Sequence, residues 1–183
     1  MKILNILDER HKILYKKSIE VEFPLSKEEK KIIKEMLKYL RNSQIEEIAT
    51  KENLRPGMGL SAVQLGHLKR YFVIVEELKR KENEPQIFKD YIIINPKITS
   101  YSEEQIYVEE GEGCLSVNRD VEGIVLRNAR ITLEYYDIEG NKNTLRARDE
   151  LSIAIQHEID HLNGILFFQK IEKNPIKNTT RCI

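Results

Sequence analysis

The segment at residues 149–163, DELSIAIQHEIDHLN, constrains the fold of this 183-residue chain more than any other segment. Its apolar residues recur at helical spacing but spread around much of the circumference, as in a helix that the rest of a protein covers. These apolar residues are Leu151, Ile153, Ala154, Ile155, Ile159 and Leu162. The helix is expected to be capped at or near Asp149 and to end at Gly164. The rest of the chain has to pack around it.

The same helix carries ionisable side chains that need partners. His157 and His161 are four residues apart, so both imidazoles lie on one face, about 5–6 Å from each other. A buried charged group is costly unless it is paired or bound to a metal. Two histidines at this spacing, with Glu158 after the first, are typical of a metal site in which the acid holds a water without binding the metal. The alternative is a polar helix face with two ordinary histidines.

A catalytic site of this kind needs a third protein ligand and keeps one position for water. A third histidine after the glycine is excluded, because that position is Phe167. Cys114, in the Gly-flanked turn of EEGEGCLSV, is one candidate, since a thiolate and two imidazoles suit Zn²⁺ or Fe²⁺. Glu172 is the other. Taken alone, Cys114 is better interpreted as a small buried apolar residue.

A second segment, GMGLSAVQLG at residues 57–66, combines glycines with small residues and permits close backbone approach to a ligand. Gln64 adds an amide donor. The glycine spacing does not fit a dinucleotide-binding fingerprint, and no strand clearly precedes it. An ordinary glycine loop leading into a helix is the alternative interpretation.

The remaining pattern predicts an α+β fold, with mixed and antiparallel sheets packed around a buried central helix that carries HExxH. A first helix is expected at 26–42, where Ser26 and Glu29 form a capping box. Its apolar stripe is Ile33, Met36, Leu37 and Leu40. Strands are expected at 71–76, 91–99, 105–109 and 124–127, with a hairpin over 129–147. Residues 43–56 are expected to form a polar connector, and residues 79–86 are expected to form a surface loop. We expect one catalytic domain over 1–172 and a tail of unknown role over 173–183.

Composition excludes several classes of protein. Charged residues make up 33% of the chain and the net charge is zero, so nothing favours general nucleic-acid or membrane-surface binding. The longest apolar runs are strand-sized, and the N-terminal segment lacks the apolar core of a secretory signal. Two cysteines form no disulfide framework, so a reducing cytoplasm is the expected location, with Cys182 as an incidental exposed thiol.

Three motifs, GMGLSAVQ, EGCLS and QHEIDH, resemble in this order the signature motifs of the peptide deformylases. The resemblance continues through FPLSKEE, NSQIEEIA, RPG, NPKI, RITLEYYDIEG and HLNG, covers most of residues 1–172, and is closest to the longer, Gram-positive-type class. The family usually has Ala at the Ser61 position and Pro at the Val63 position, which bears on the rigidity of this loop. The resemblance implies metal-dependent hydrolysis of the N-formyl group of N-formylmethionyl nascent polypeptides, with release of formate.

The resemblance also implies a role for individual residues. Cys114, His157 and His161 would hold Fe²⁺, with Zn²⁺, Ni²⁺ or Co²⁺ as substitutes. Glu158 would move the proton, and the Gln64 side chain and the Leu115 N–H would stabilise the oxyanion. Backbone contacts to substrate would come from Met58, Gly59 and Gly113. Asp160 would pair with Arg127, for which a simple surface ion pair is the alternative.

Ile153 and Ala154 lie one turn before His157 and would line a methionine pocket or serve only the core. The implied partners are nascent formylmethionyl peptides and, transiently, the ribosome, without sequence-specific nucleic-acid binding. Two alternatives stay open: a general metallopeptidase with the same helix motif, and a structural zinc module with four protein ligands.

Overall fold

A computed structural model describes residues 4–78, 84–172 and 180–183 as two sheets packed with helices. Its α-helices are α1 (Lys27–Ser43), α2 (Glu46–Glu52) and α3 (Asp149–Leu162). The first strands are β1 (Gly59–Ser61), β2 (Tyr71–Glu77), β3 (Phe88–Tyr101) and β4 (Gln105–Tyr107). The others are β5 (Arg127–Asn128), β6 (Arg130–Tyr136), β7 (Lys142–Arg148) and β8 (Thr180–Cys182). Short 3₁₀ turns occupy Lys12–Tyr15, Ala62–Leu65 and Phe167–Lys170.

The strands form one antiparallel and one mixed sheet. The larger sheet has five strands in the order β1-β2-β3-β6-β7, and every neighbouring pair is antiparallel. The smaller sheet has the order β5-β4-β8, in which β4 is antiparallel to β5 and parallel to β8. The predicted α+β fold with mixed and antiparallel sheets is confirmed.

Strand β2 explains why the two long helices lie on opposite faces of the larger sheet. Side chains alternate between the faces of a strand, and in the run YFVIV both faces are apolar. Tyr71, Val73 and Val75 pack into the core that α1 completes, while Phe72 and Ile74 pack into the core that α3 completes. A strand that is covered on both faces is continuously apolar rather than alternating.

The two predicted helices are present. Ser26 and Glu29 form the capping box of α1, and the stripe is buried at Ile33, Met36 and Leu40 and half-buried at Leu37. Helix α3 begins at Asp149, but its N-cap is Arg148 and carries no side-chain cap. The cap thus falls next to Asp149, within the expected range, while the Asp149 carboxylate binds the guanidinium groups of Arg148 and Arg181.

Three of the predicted strand regions and the hairpin are present, although β3 is longer than expected and β4 shorter. The predicted strand at 124–127 is wrong except for Arg127: Ile124 O accepts a hydrogen bond from Glu172 N at 2.9 Å, outside either sheet.

Some elements were not predicted from the sequence. Helix α2 lies inside the predicted connector and buries none of its residues, so no apolar stripe in the sequence indicates it. Strands β1 and β8 were not predicted. Part of the expected surface loop, 79–83, lies outside the described residues.

No helix in the described part of the chain combines the length and the apolar content that crossing a bilayer requires.

Gly164→Ala is expected to destabilise the protein. Gly164 follows α3 with φ +76°, and an added Cβ would lie 2.7 Å from the backbone carbonyl of Tyr15. A strained position of this kind costs about 1 kcal/mol or more, which in a chain of this size lowers Tm by about 2–4 °C per kcal/mol. Thermal denaturation measures the shift.

Gly113→Ala is the control for stability, because an added Cβ at Gly113 meets no atom within 4 Å. An unchanged Tm for Gly164→Ala would contradict the packing of Gly164 against Tyr15.

Candidate metal centre

A thiol and two imidazoles converge next to the larger sheet. Cys114, His157 and His161 each offer one ligand atom, and these atoms lie within 4.8 Å of one another. Cys114 Sγ is 3.3 Å from His161 Nε2. All three side chains are buried. The histidines lie on α3, and the cysteine lies in the loop before β5. Within the described residues Glu172 is not part of this group, so the geometry favours Cys114 as the third ligand.

Glu112 fixes the orientation of the first histidine. Its Oε2 lies 2.8 Å from His157 Nδ1, which leaves His157 Nε2 free to face Cys114 and His161. Histidines that bind metals commonly engage a carboxylate through the other ring nitrogen. Glu112 was not predicted from the sequence, although an acidic residue between two glycines, two positions before Cys114, is a signal that could identify it.

A buried ionic network continues from Glu112 into α3. Arg127 donates to both Glu112 oxygens at 2.6 and 2.9 Å, and to Asp160 Oδ2 at 2.5 Å. Lys170 Nζ reaches the same Asp160 carboxylate at 2.9 Å. Burial raises the pKa of Glu112, but the hydrogen bonds from Arg127 and His157 outweigh it and lower this pKa to about 2. The predicted pairing of Asp160 with Arg127 is present, and since both side chains are buried it is not a surface ion pair.

Glu158 lies beside this group without joining it. Its carboxylate is almost fully buried, and burial raises the pKa of Glu158 to about 7. A Cβ at Gly59 would lie 2.5 Å from Glu158 Oε1, so only glycine leaves room for the carboxylate there. Among the described residues, neither Glu158 Oε2 nor His161 Nδ1 has a hydrogen-bond partner.

The two histidines differ in their electrostatic surroundings. Burial lowers the pKa of His157, but hydrogen bonding to Cys114 and Glu112 reverses this, so the net shift is upward. Burial also lowers the pKa of His161, where the neighbouring His157 acts in the same direction. A buried neutral imidazole at His161 is the form that can donate a lone pair to a metal.

The amide of Gln64 is held in one orientation. Its Oε1 accepts from Ser61 N at 2.9 Å and from Ser61 Oγ at 3.0 Å. Its Nε2 therefore points the other way, towards Ser116 Oγ at 3.1 Å and Cys114 Sγ at 3.7 Å. Ser61, where relatives were expected to have Ala, thus adds a hydroxyl donor to this anchor. Val63 is fully buried in the turn that follows.

Arg55 holds the loop that carries Cys114. Its guanidinium donates to the carbonyl oxygens of Cys114 at 3.1 Å, Leu115 at 3.1 Å and Val117 at 2.9 Å. In a trans peptide the C=O and the next N–H point in opposite directions. Fixing the Cys114 carbonyl therefore also fixes the direction of the Leu115 N–H. Arg55 was not predicted from the sequence, in which the run RPG is only a weak signal.

A cavity of about 650 Å³ opens over this group. All the predicted site residues except His161, which is buried beside Cys114, line this cavity. They are Met58, Gly59, Gln64, Gly113, Cys114, Leu115, Ile153, Ala154, His157 and Glu158. Ile153 and Ala154 both line the cavity, and their contact with substrate stays a prediction. The arrangement offers soft-to-borderline metal ligands, an unligated carboxylate and an oriented amide donor around one space.

Comparison with known proteins identifies the family. The family model described as polypeptide deformylase matches residues 3–176. The peptide deformylase of Ligilactobacillus salivarius (strain UCC118) is 47% identical over 169 residues, covering 92% of this chain and 90% of that protein. The peptide deformylase of Listeria monocytogenes serotype 4a (strain HCC23) is 46% identical over 172 residues, covering 93% and 91%. The resemblance to Gram-positive-type deformylases is therefore confirmed.

Solved structures agree with the sequence comparison. The peptide deformylase of Ehrlichia chaffeensis in complex with actinonin superposes with a TM-score of 0.73 and 34% identity, over 94% of this chain and 91% of that chain. The peptide deformylase of Thermotoga maritima gives a TM-score of 0.71 and 26% identity, over 94% and 99%. The chain therefore belongs to the polypeptide deformylase family, whose members are metal-dependent hydrolases that remove the N-formyl group from nascent polypeptides.

Proposed function

We propose that this chain deformylates N-formylmethionyl nascent polypeptides at the centre formed by Cys114, His157 and His161. The observation that carries the proposal is the convergence of one thiol and two imidazoles beside an unligated buried carboxylate, at the floor of a cavity. In this proposal α3 is the helix that bears the HExxH metal motif. The proposed setting is the cytoplasm, with transient contact to the ribosome as the source of substrate.

The donor set fits a divalent transition metal. Cys114 Sγ and one nitrogen of each histidine would hold the ion, and the His157 nitrogen would be Nε2 because Glu112 engages Nδ1. When bound, such an ion acts as a Lewis acid and lowers the pKa of a water towards about 7. Fe²⁺ is the proposed ion, with Zn²⁺, Ni²⁺ or Co²⁺ as substitutes, since a thiolate and two imidazoles accept each of them.

Glu158 is the proposed proton carrier. Its carboxylate faces the cavity and is not one of the three converging ligands, so it is available to accept a proton from the attacking water. The same carboxyl then protonates the departing amine as the C–N bond of the formamide breaks, leaving formate and a free N-terminus. Most of the Glu158 side chain is kept away from bulk solvent.

The negative charge that develops on the formyl oxygen needs donors. The Gln64 Nε2 group is the first, since its orientation is already fixed by Ser61. The Leu115 N–H is the second, since Arg55 fixes the peptide to which it belongs. Donors that are oriented before the reaction cost no reorganisation in the transition state, and losing one typically costs about 10²–10³ in rate.

The formyl peptide is proposed to bind as an added strand. Among the described strands β1 is an edge of the larger sheet, so one side of Gly59 can pair with an extended peptide. Met58 and Gly113 line the same cavity, and Ile153 and Ala154 would contact the methionine side chain. Release of formate from formyl-Met-Ala-Ser tests the proposal directly. Cleavage of internal peptide bonds instead would indicate a general metallopeptidase.

Glu158→Gln should retain the metal and lose about 10²–10⁴-fold in formate release, because the amide keeps the shape of the side chain but cannot accept the proton. Metal content and kcat are measured on the same purified samples. Glu47→Gln, on the exposed surface of α2, is the control and should match the wild type in both. Stoichiometric loss of metal from Glu158→Gln would make Glu158 a ligand and overturn its proposed role.

Cys114→Ala should lose metal affinity and activity together, because two histidines do not hold an ion tightly without a third ligand. Cys182→Ser removes the exposed thiol and should change neither. Metal analysis after dialysis, followed by the formate assay, measures both. If Cys114→Ala kept its full metal content, the third ligand would lie elsewhere and Glu172 would be tested next.

A further inference from the structure

The apolar end of the cavity includes a residue from the far end of the chain. Ile183 lines the cavity together with Val108 and Ile153. The same three side chains belong to one small apolar cluster, whose buried members include Ile106 and Ala129. Val108 follows β4 and Ile153 lies in α3, so this wall is built from three separate parts of the sequence.

Strand β8 determines where Ile183 lies. It pairs in parallel with β4 through Gln105↔Thr180, Ile106↔Arg181 and Tyr107↔Cys182. The pairing continues beyond the strand, since Ile183 N donates to Tyr107 O at 3.0 Å. Successive side chains on an extended segment point to opposite sides. Cys182 is accordingly exposed, whereas Ile183 is half-buried against the cavity wall.

Arg181 anchors the same strand through two ion pairs. Its guanidinium reaches Glu104 at 3.3 Å and also binds Asp149, at the start of α3. The strand is thereby tied both to the segment before β4 and to the helix that carries the histidines. Ile183 is held relative to the reacting groups by the same contacts.

We propose that Ile183 is a specificity-determining residue, which contacts the far end of the unbranched apolar side chain of the first substrate residue. This inference rests on the proposed function. Ile153 lies one turn before His157 and lines the same cavity as Val108, so in this proposal the side chain next to a formyl group at the metal centre contacts Ile153 and Val108. Ile183 lines the same wall of the cavity next to Ile153 and Val108. In this proposal a side chain as long as that of methionine would contact Ile183, and that of alanine would not.

The test compares formyl-Met-Ala-Ser with formyl-Ala-Ala-Ser for the wild type, Ile183→Ala, Ile183→Val and Cys182→Ser. Each buried methylene contributes about 0.8 kcal/mol, or about fourfold in affinity. Because Ile183 is half-buried, Ile183→Ala should lower kcat/KM for the methionine peptide by about three- to tenfold, mainly through KM. The alanine peptide should change by less than about twofold. Ile183→Val should lie between, and Cys182→Ser should match the wild type.

Equal losses for both peptides, or no loss for the methionine peptide, would overturn the role of Ile183 while leaving the deformylase proposal intact. A wild-type protein that releases formate from neither peptide would refute the proposed function, and this inference with it. Metal content and thermal denaturation of every variant separate a selective change from a loss of fold or of metal.

Discussion

The site depends on one buried cation. Arg127 is almost completely excluded from solvent, and a guanidinium in that position is tolerated only when charged partners surround it. Those partners come from the two elements that carry the ligands: Glu112 precedes Cys114 by two residues, and Asp160 is adjacent to His161. The two ion pairs of Arg127 therefore fix the position of the cysteine loop relative to α3. Loss of either partner would leave Arg127 with one carboxylate instead of two next to the metal ligands.

Around the centre, three of the groups with proposed roles are oriented by neighbouring side chains. Glu112 orients His157, Ser61 orients Gln64, and Arg55 orients the peptide of Leu115. Glycine at position 59 leaves the space that the Glu158 carboxylate occupies. The proposed donors and one proposed ligand are thus held in place before substrate arrives, which is the condition for efficient electrostatic catalysis.

The sequence could predict what depends on local pattern. Periodicity located α1 and α3, and the spacing of His157 and His161 indicated a metal site before any family was considered. Features that depend on contacts between residues far apart in the sequence were not predicted. The three residues of β8 have no recognisable pattern and become a strand only by pairing with β4, and Arg55 acts on carbonyl groups about 60 residues away. The strand expected at 124–127 failed for the related reason that its backbone finds its partner at Glu172.

The central claim is that the buried network assembles a centre with one sulfur and two imidazole ligands and an open position. X-ray absorption spectroscopy of the protein loaded with Fe²⁺ under anaerobic conditions, with the zinc form for comparison, tests it most directly. The account predicts one sulfur and two imidazole nitrogens from the protein, completed by oxygen from solvent. A site without sulfur, or one closed by four protein ligands, would contradict it.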